Sequence, residues 1–267
     1  MIPDSERWLI ASDVDGTLVD HSLEILPEVR TAIATAQAKG HIVTLATGRM
    51  YRATLPFAET LQIDQPLICY QGALVQHHDH VILHRTVPLE IAQDAIQVAH
   101  QKELHLNAYL NDTLFIEKHS PESAFYKQLA PMAEAQVVGD MSLFLKEEPT
   151  KILFVCEEAE ALQFLEWAKA RWGDVAQVVQ SHPRYVEITH PAASKGAAVM
   201  ALAQELNIPR ERVLAVGDNH NDISMIGAAG VGVAMGSALP VIQAMADWVA
   251  PGVKEGGLAA AIQKFVL

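Results

Sequence analysis

The stretch Trp8-Leu9-Ile10-Ala11-Ser12-Asp13-Val14-Asp15-Gly16-Thr17 is an apolar run that ends in two closely spaced carboxylates. The run from Trp8 to Ala11 reads as a buried β-strand. In a parallel α/β sheet the functional crevice lies beyond the carboxyl ends of the strands, and alternate residues of a strand or its extension point the same way. Asp13 and Asp15 are thereby placed to share a site. Two ionised carboxylates about 4 Å apart repel by roughly 4 kcal/mol at an effective dielectric of ~20. The pair therefore calls for a bound cation or a shared proton.

Outward from that strand the chain alternates. Pro27 to Lys39 reads as a helix, with Pro27 in its first turn and Gly40 as its stop. His41 to Ala46 reads as a second buried strand, Tyr51 to Leu61 as a helix and Pro66 to Tyr70 as a third strand. This β-α-β-α-β order predicts a parallel sheet with right-handed crossovers. Leu74 to Gln76 and Val81 to His84 flank the polar tip His77-His78-Asp79-His80 and read as a hairpin. Residues 85–188 mix helices at Leu89 to Lys102 and Ala159 to Arg171 with strand runs, and the pair Asn111-Asp112 marks a hairpin turn. That stretch reads as an inserted α+β domain with an antiparallel sheet. After Thr189 the alternation resumes: helix Gly196 to Leu206, strand Val213 to Val216, helix Ile223 to Ala228, strand Gly232 to Met235 and helix Leu258 to Phe265. The expectation is an α/β fold, a doubly wound parallel-sheet core formed by residues 1–84 and 189–267 around an insertion at 85–188.

With 267 residues, half of them apolar, the chain has material for a large core and a smaller second domain. A formal charge of -13 argues against a nucleic-acid binder, which normally carries a basic stripe. Cys69 and Cys156 fall in apolar strand-like runs and read as buried reduced thiols, which suits a cytoplasmic protein. The opening residues, Met1-Ile2-Pro3-Asp4-Ser5-Glu6, lack the basic and apolar regions of an export signal. Ile226 to Ala246 is uncharged and long enough to cross a bilayer. Its Gly227, Gly230, Gly232, Gly236, Ser237 and Pro240 fit a short strand, a turn and a helix start better.

Three further groups fall where a core strand ends or a helix begins. Thr47-Gly48-Arg49 comes after the second strand, where a hydroxyl and backbone N–H groups can hold a phosphoryl oxygen. Lys195 opens the helix that starts Ser194-Lys195-Gly196, so its ammonium adds to the positive end of the helix dipole. Gly217-Asp218-Asn219-His220-Asn221-Asp222 comes after the strand Val213 to Val216. Together these groups make an anion site beside a carboxylate cluster.

As a set and in this order, DVDGT, ATGR, SKG and GDNHND resemble the four motifs of the haloacid dehalogenase-like (HAD) phosphatase superfamily. The run Gly230-Val231-Gly232-Val233-Ala234-Met235-Gly236 and the length of the insertion look most like its Cof-type subfamily. The resemblance implies a Rossmann-like core with a cap domain, and a magnesium-dependent, cytoplasmic phosphatase acting on a phosphomonoester of a small metabolite. It implies that Asp13 is the nucleophile that forms an aspartyl phosphate and that Asp15 is the general acid/base. Thr47, Gly48, Lys195 and Asn221 would contact the phosphoryl group, while Asp13, the main-chain carbonyl of Asp15 and Asp218 would ligate Mg2+. Asp222 would orient Lys195, and Arg49 would reach either substrate or solvent. The cap would select the substrate on closing over the site. Gln71-Gly72-Ala73 departs from the usual Asn-Gly-Ala, and Ser237 replaces an asparagine, without loss of a catalytic group.

Two rivals share part of this pattern. A phosphotransferase or mutase would pass the group to a sugar hydroxyl. A receiver-like signalling domain also gathers acids, a hydroxyl and a lysine around an aspartate, but Asp15 and the long insertion count against it. His77, His78, His80 and His84 suit ligation of a transition ion, yet a hairpin tip facing water accounts for them with less. Trp167 and Trp172 read as packing between a helix and the sheet of the insertion. Gly230 and Gly232 match part of a dinucleotide fingerprint whose third glycine is replaced by Met235.

Overall fold

The computed structural model describes residues 6–130 and 132–267, so the opening residues Met1 to Ser5, read above for an export signal, lie outside it. The first elements are β1 (Leu9–Ser12), α1 (Pro27–Ala38), β2 (Ile42–Leu45), α2 (Tyr51–Thr60), β3 (Leu67–Cys69), β4 (Leu74–His77) and β5 (His80–His84). The next are α3 (Leu89–Lys102), β6 (His105–Leu110), β7 (Thr113–Ile116), α4 (Pro121–Leu129), β8 (Ala135–Val137), α5 (Met141–Phe144), β9 (Lys151–Val155), α6 (Glu158–Trp172), β10 (Gln177–Val179) and β11 (Tyr185–Thr189). The chain ends through α7 (Lys195–Glu205), β12 (Val213–Gly217), α8 (Ile223–Ala228), β13 (Val231–Ala234), α9 (Pro240–Met245), β14 (Trp248–Val249) and α10 (Gly257–Phe265). Contacts divide these elements into two compact units. One holds the residues up to Arg49, Thr54–Leu83 and Ser194–Leu267, and the other Met50–Ala53 and His84–Ala193.

The first unit is built on a five-stranded sheet in the order β14-β13-β12-β1-β2, parallel throughout. All four residues of β1 are buried, as a central parallel strand covered on both faces requires. Its Leu9 and Ala11 pack with Val199 and Leu202 of α7 and Met225 of α8. Pro27 opens α1, which buries Val29, Ala32, Ile33 and Ala36 and packs on α10. Full burial of a side chain such as Val29 or Ile33 contributes about 1.5–3 kcal/mol.

One expectation is only partly met. The third strand touches the parallel sheet through a single bridge, Ala46 to Ile68, and then pairs antiparallel with β4 in a separate sheet of order β3-β4-β5. The physical reason is the tight turn at Tyr70 and Gln71, both with positive φ (52° and 59°), which folds the chain straight back on itself. The segment Ile226 to Ala246 breaks into α8, β13 and α9. No helix among the described residues is long and apolar enough to cross a membrane.

The second unit carries a six-stranded sheet in the order β10-β11-β9-β6-β7-β8. Most of its pairs are antiparallel, and β7 with β8 is parallel. Asn111 and Asp112 take φ of 49° and 52°, the conformation that a two-residue turn between right-twisted strands needs. One face of the sheet, with Leu106, Ile152, Phe154 and Val186, packs on Ile96 of α3 and on Phe164 and Trp172 of α6. Trp172 stacks on Phe154 at 6.0 Å, and Trp167 meets Trp172 edge-on at 5.4 Å, as the sequence suggests. Cys69 and Cys156 are both buried thiols.

Candidate active site

The carboxyl ends of β1 and β12 lie side by side, since Ser12 is in register with Val216. Asp13 continues that pairing, its N–H donating to the Val216 carbonyl at 3.0 Å. The turns after the two strands therefore converge. Gly16 sits at φ 88°, and a Cβ there would come within 2.4 Å of Asp218 Oδ2, so only glycine admits Asp218 at this distance. Thr17 donates its hydroxyl to Asp218 Oδ1 at 3.1 Å. Among the described residues, Asp13, Asp218 and Asp222 each offer a carboxylate oxygen within 4.8 Å of the others.

Lys195 enters this cluster from the first turn of α7, which Ser194 caps by accepting from the Ala197 N–H at 3.1 Å. Gly72 makes the approach feasible. It sits at φ 88° with its α-carbon against the Ser194 carbonyl, where a Cβ would be 2.2 Å from that oxygen. The Lys195 ammonium donates to Asp13 Oδ1 and to Asp222 Oδ1, each at 2.6 Å. The second oxygen of Asp222 accepts the N–H groups of Asp218 and Asn219 at 2.9 and 3.0 Å. Both oxygens of Asp222 are thus engaged by donors, as suits a group that orients the lysine rather than one that binds a cation.

Electrostatics follow from burial. The Asp13 carboxyl is raised well above the usual aspartate range, first by burial and then by Asp222, with Lys195 pulling in the opposite sense. Asp218 is pushed up to about 7 by burial and by Asp222. Burial would lower the Lys195 ammonium, but Asp13 and Asp222 override it and hold it above the ordinary lysine range. The site therefore concentrates more negative charge than one ammonium balances, which is the donor chemistry of a hard, oxygen-preferring cation.

The remaining predicted residues surround this cluster. Arg49 grips Asp15 with two hydrogen bonds, Nε to Oδ2 at 2.9 Å and Nη2 to Oδ1 at 2.6 Å. Its guanidinium also lies over the Phe57 ring at 5.2 Å. Thr47 is fully buried and its Oγ1 accepts from the Arg49 N–H at 3.1 Å, which closes the turn around Gly48. Gln71, which the sequence leaves without a role, lies against Gly48 and accepts from Asn221 Nδ2 at 3.0 Å. Asn221 Oδ1 is buried without a partner, so the amide has one acceptor position to offer a ligand. Neither Thr17 nor Gln71 is assigned from the sequence. The available signals are the place of Thr17 in the same pentapeptide as Asp13 and the departure of Gln71 from the Asn-Gly-Ala pattern.

A parallel sheet with acids and a buried lysine gathered at its carboxyl edge suits the handling of a phosphoryl group and its counter-ion. The chain matches the haloacid dehalogenase-like hydrolase family over residues 10–262, and it belongs to that family. It is 25% identical over 274 residues to the 5-amino-6-(5-phospho-D-ribitylamino)uracil phosphatase YitU of Bacillus subtilis, covering 98% of each chain. It is 28% identical over 262 residues to the pyridoxal phosphate phosphatase YbhA of Escherichia coli, covering 90% of this chain and 92% of the other. A haloacid dehalogenase-like hydrolase from Bacteroides thetaiotaomicron superposes with a TM-score of 0.87 at 26% identity, over 97% of this chain and 99% of that one.

Proposed function

We propose that this protein is a magnesium-dependent phosphatase of a small phosphorylated metabolite, sugar-like or cofactor-like, working through an aspartyl phosphate on Asp13. The observation that carries this reading is the buried contact of Lys195 with Asp13 and Asp222 beside Asp218. Asp13 attacks phosphorus in line as the ester P–O bond breaks, and the leaving oxygen takes a proton from Asp15. Asp15 then removes a proton from water, whose oxygen attacks the phosphoryl group and releases Asp13 and orthophosphate. The chemistry is divided into two easier steps. Lys195, the Gly48 backbone, Thr47 and the Asn221 Nδ2 hydrogen not given to Gln71 receive the phosphoryl oxygens, since this transfer is catalysed chiefly by positioning and charge balance. In the structure both Asp15 oxygens accept from Arg49, so Asp15 acts as the acid once one oxygen leaves the guanidinium and takes up a proton.

Asp13, Asp218 and the carbonyl of Asp15 would hold Mg2+, as a set of hard oxygen donors. When bound, the ion would supply countercharge to the transferring group and would let neighbouring carboxylates remain ionised together. The sign of the linked pH effect follows from Asp218, whose pKa is 3.8 in ordinary surroundings and about 7 here. Between those values the folded chain binds more protons than the unfolded one, so its contribution to stability is lost as pH rises towards about 7. The metal-free protein is expected to melt at falling temperature as pH rises from about 4 to about 7, with Asp218→Asn flattening the trend and Mg2+ restoring stability at the upper end. A melting profile indifferent to both the substitution and the ion would remove Asp218 from the metal set.

The relatives named for a phosphoribityl uracil and for pyridoxal phosphate set the first compounds to try. Orthophosphate release should be measured with Mg2+ across a panel of these, sugar phosphates and flavin mononucleotide. Turnover of at least one compound, abolished by EDTA and restored by Mg2+, is expected. Release from none, or release indifferent to EDTA, would overturn the proposal.

A further inference from the structure

At the end of β3 remote from Asp13, two imidazoles and a carboxylate meet. Nε2 of His77 and Nε2 of His78 lie 2.7 and 2.9 Å from the same atom, Oδ1 of Asp64. Consecutive residues of a strand point to opposite faces, so neighbouring imidazoles do not ordinarily meet at one point. Here β4 ends at His77, and His78 takes φ 50° in the two-residue turn to β5. That left-handed step turns the second ring back beside the first, with centroids 4.3 Å apart. Gln76 Nε2 donates to the His78 carbonyl at 2.6 Å and ties the turn down. Asp64 arrives by pairing: Leu67 of β3 lies opposite Gln76 of β4, so the residues just before β3 run beside those just after β4.

We propose that Asp64, His77 and His78 form a second cation site, one for a late transition divalent ion such as Zn2+ rather than for Mg2+. All three donor atoms lie within 4.8 Å of one another. Two imidazole nitrogens and a carboxylate oxygen suit zinc, nickel or copper, whereas Mg2+ takes oxygen donors in near-ideal octahedra. Tetrahedral zinc with bonds of about 2.0–2.1 Å sets its ligand atoms ~3.3 Å apart. The present contacts need to open by only about half an ångström to reach that spacing. The ligand side chains lie at the surface, with relative exposures of 34% for His77, 73% for His78 and 79% for Asp64, so the adjustment disturbs no core packing. Water would complete the coordination, as in open zinc sites. Asp64 precedes β3 and Gln71 comes after it, so this site and the carboxylate cluster lie at opposite ends of that strand.

Calorimetric titration of the full chain with Zn2+, in excess Mg2+ to occupy the carboxylate cluster, tests the proposal. One zinc per chain is expected. The paired substitution His77→Ala/His78→Ala should weaken it by at least about 100-fold, and Asp64→Asn by about ten-fold. Circular dichroism and thermal melting of each variant verify that it is folded, and the milder Asp64→Asn serves if the alanine pair is not. Zinc uptake absent from the parent protein, or equal in parent and folded variants, would overturn the site.

Discussion

Asp13→Asn is expected to lower the rate of orthophosphate release by a factor of at least ~10^4 while leaving substrate binding within a few-fold of the parent. An amide oxygen is a poor nucleophile and forms no stable phosphoryl ester, so the first chemical step has no route. The surroundings survive the exchange. Lys195 keeps its 2.6 Å contact with Asp222, and the amide oxygen still accepts from the ammonium. Removing one of several crowded acids also relieves the cost of burying its charge and the repulsion from Asp222 that together raise Asp13, so metal-free melting should not fall. Calorimetric binding of the best compound from the panel, set beside phosphate release, separates the two properties. Asp15→Asn should differ by slowing both half-reactions and leaving the nucleophile competent. Hydrolysis at parental rates by a folded Asp13→Asn protein would end the nucleophile assignment.

Much of this site is legible in the chain because its chemistry sits at strand ends. The run before Asp13 is apolar over Trp8 to Ala11, so β1 had to be a buried central strand, and a buried parallel strand delivers the residues after it to the functional edge. The same holds for the strand before Asp218 and the helix that opens at Lys195. Meetings between distant residues leave no such trace in the chain. Gln71 and Asn221, 150 positions apart, touch only because the turn after β3 and the loop after β12 converge. Arg49 could have reached substrate or solvent on spacing alone, and its grip on Asp15 depends on how the turn after β2 is closed by Thr47. The departure of β3 from the parallel sheet is likewise invisible to hydrophobic pattern, because a short apolar strand reads alike in either pairing. Asp64 lies in an ordinary polar loop, and only the register of β3 with β4 sets it beside His77.

Lys195→Met is expected to cost both activity and fold. The ammonium is enclosed, with a side-chain exposure of 0% against 6% for Asp13 and 0% for Asp222. Its loss strands two buried carboxylates that repel each other, and breaking a buried pair in this way costs about 3–5 kcal/mol. For a chain of this size that corresponds to a fall in melting temperature of roughly 10 °C. Turnover should vanish as well, since in the proposed mechanism Lys195 would face the phosphoryl oxygens from beside Asp13. Two comparisons separate these effects. The penalty should shrink as pH falls, because Asp13, already raised by burial and by Asp222 and now without the ammonium that lowers it, takes up a proton and ceases to repel its neighbour. Adding Asp222→Asn to Lys195→Met should recover part of the stability, because the amide oxygen at that position can keep accepting the N–H groups of Asp218 and Asn219 without a charge. Activity should stay lost in the double variant. A single variant that melts with the parent at neutral pH would show that Lys195 does not balance this cluster, and the electrostatic account of phosphoryl binding would fall with it.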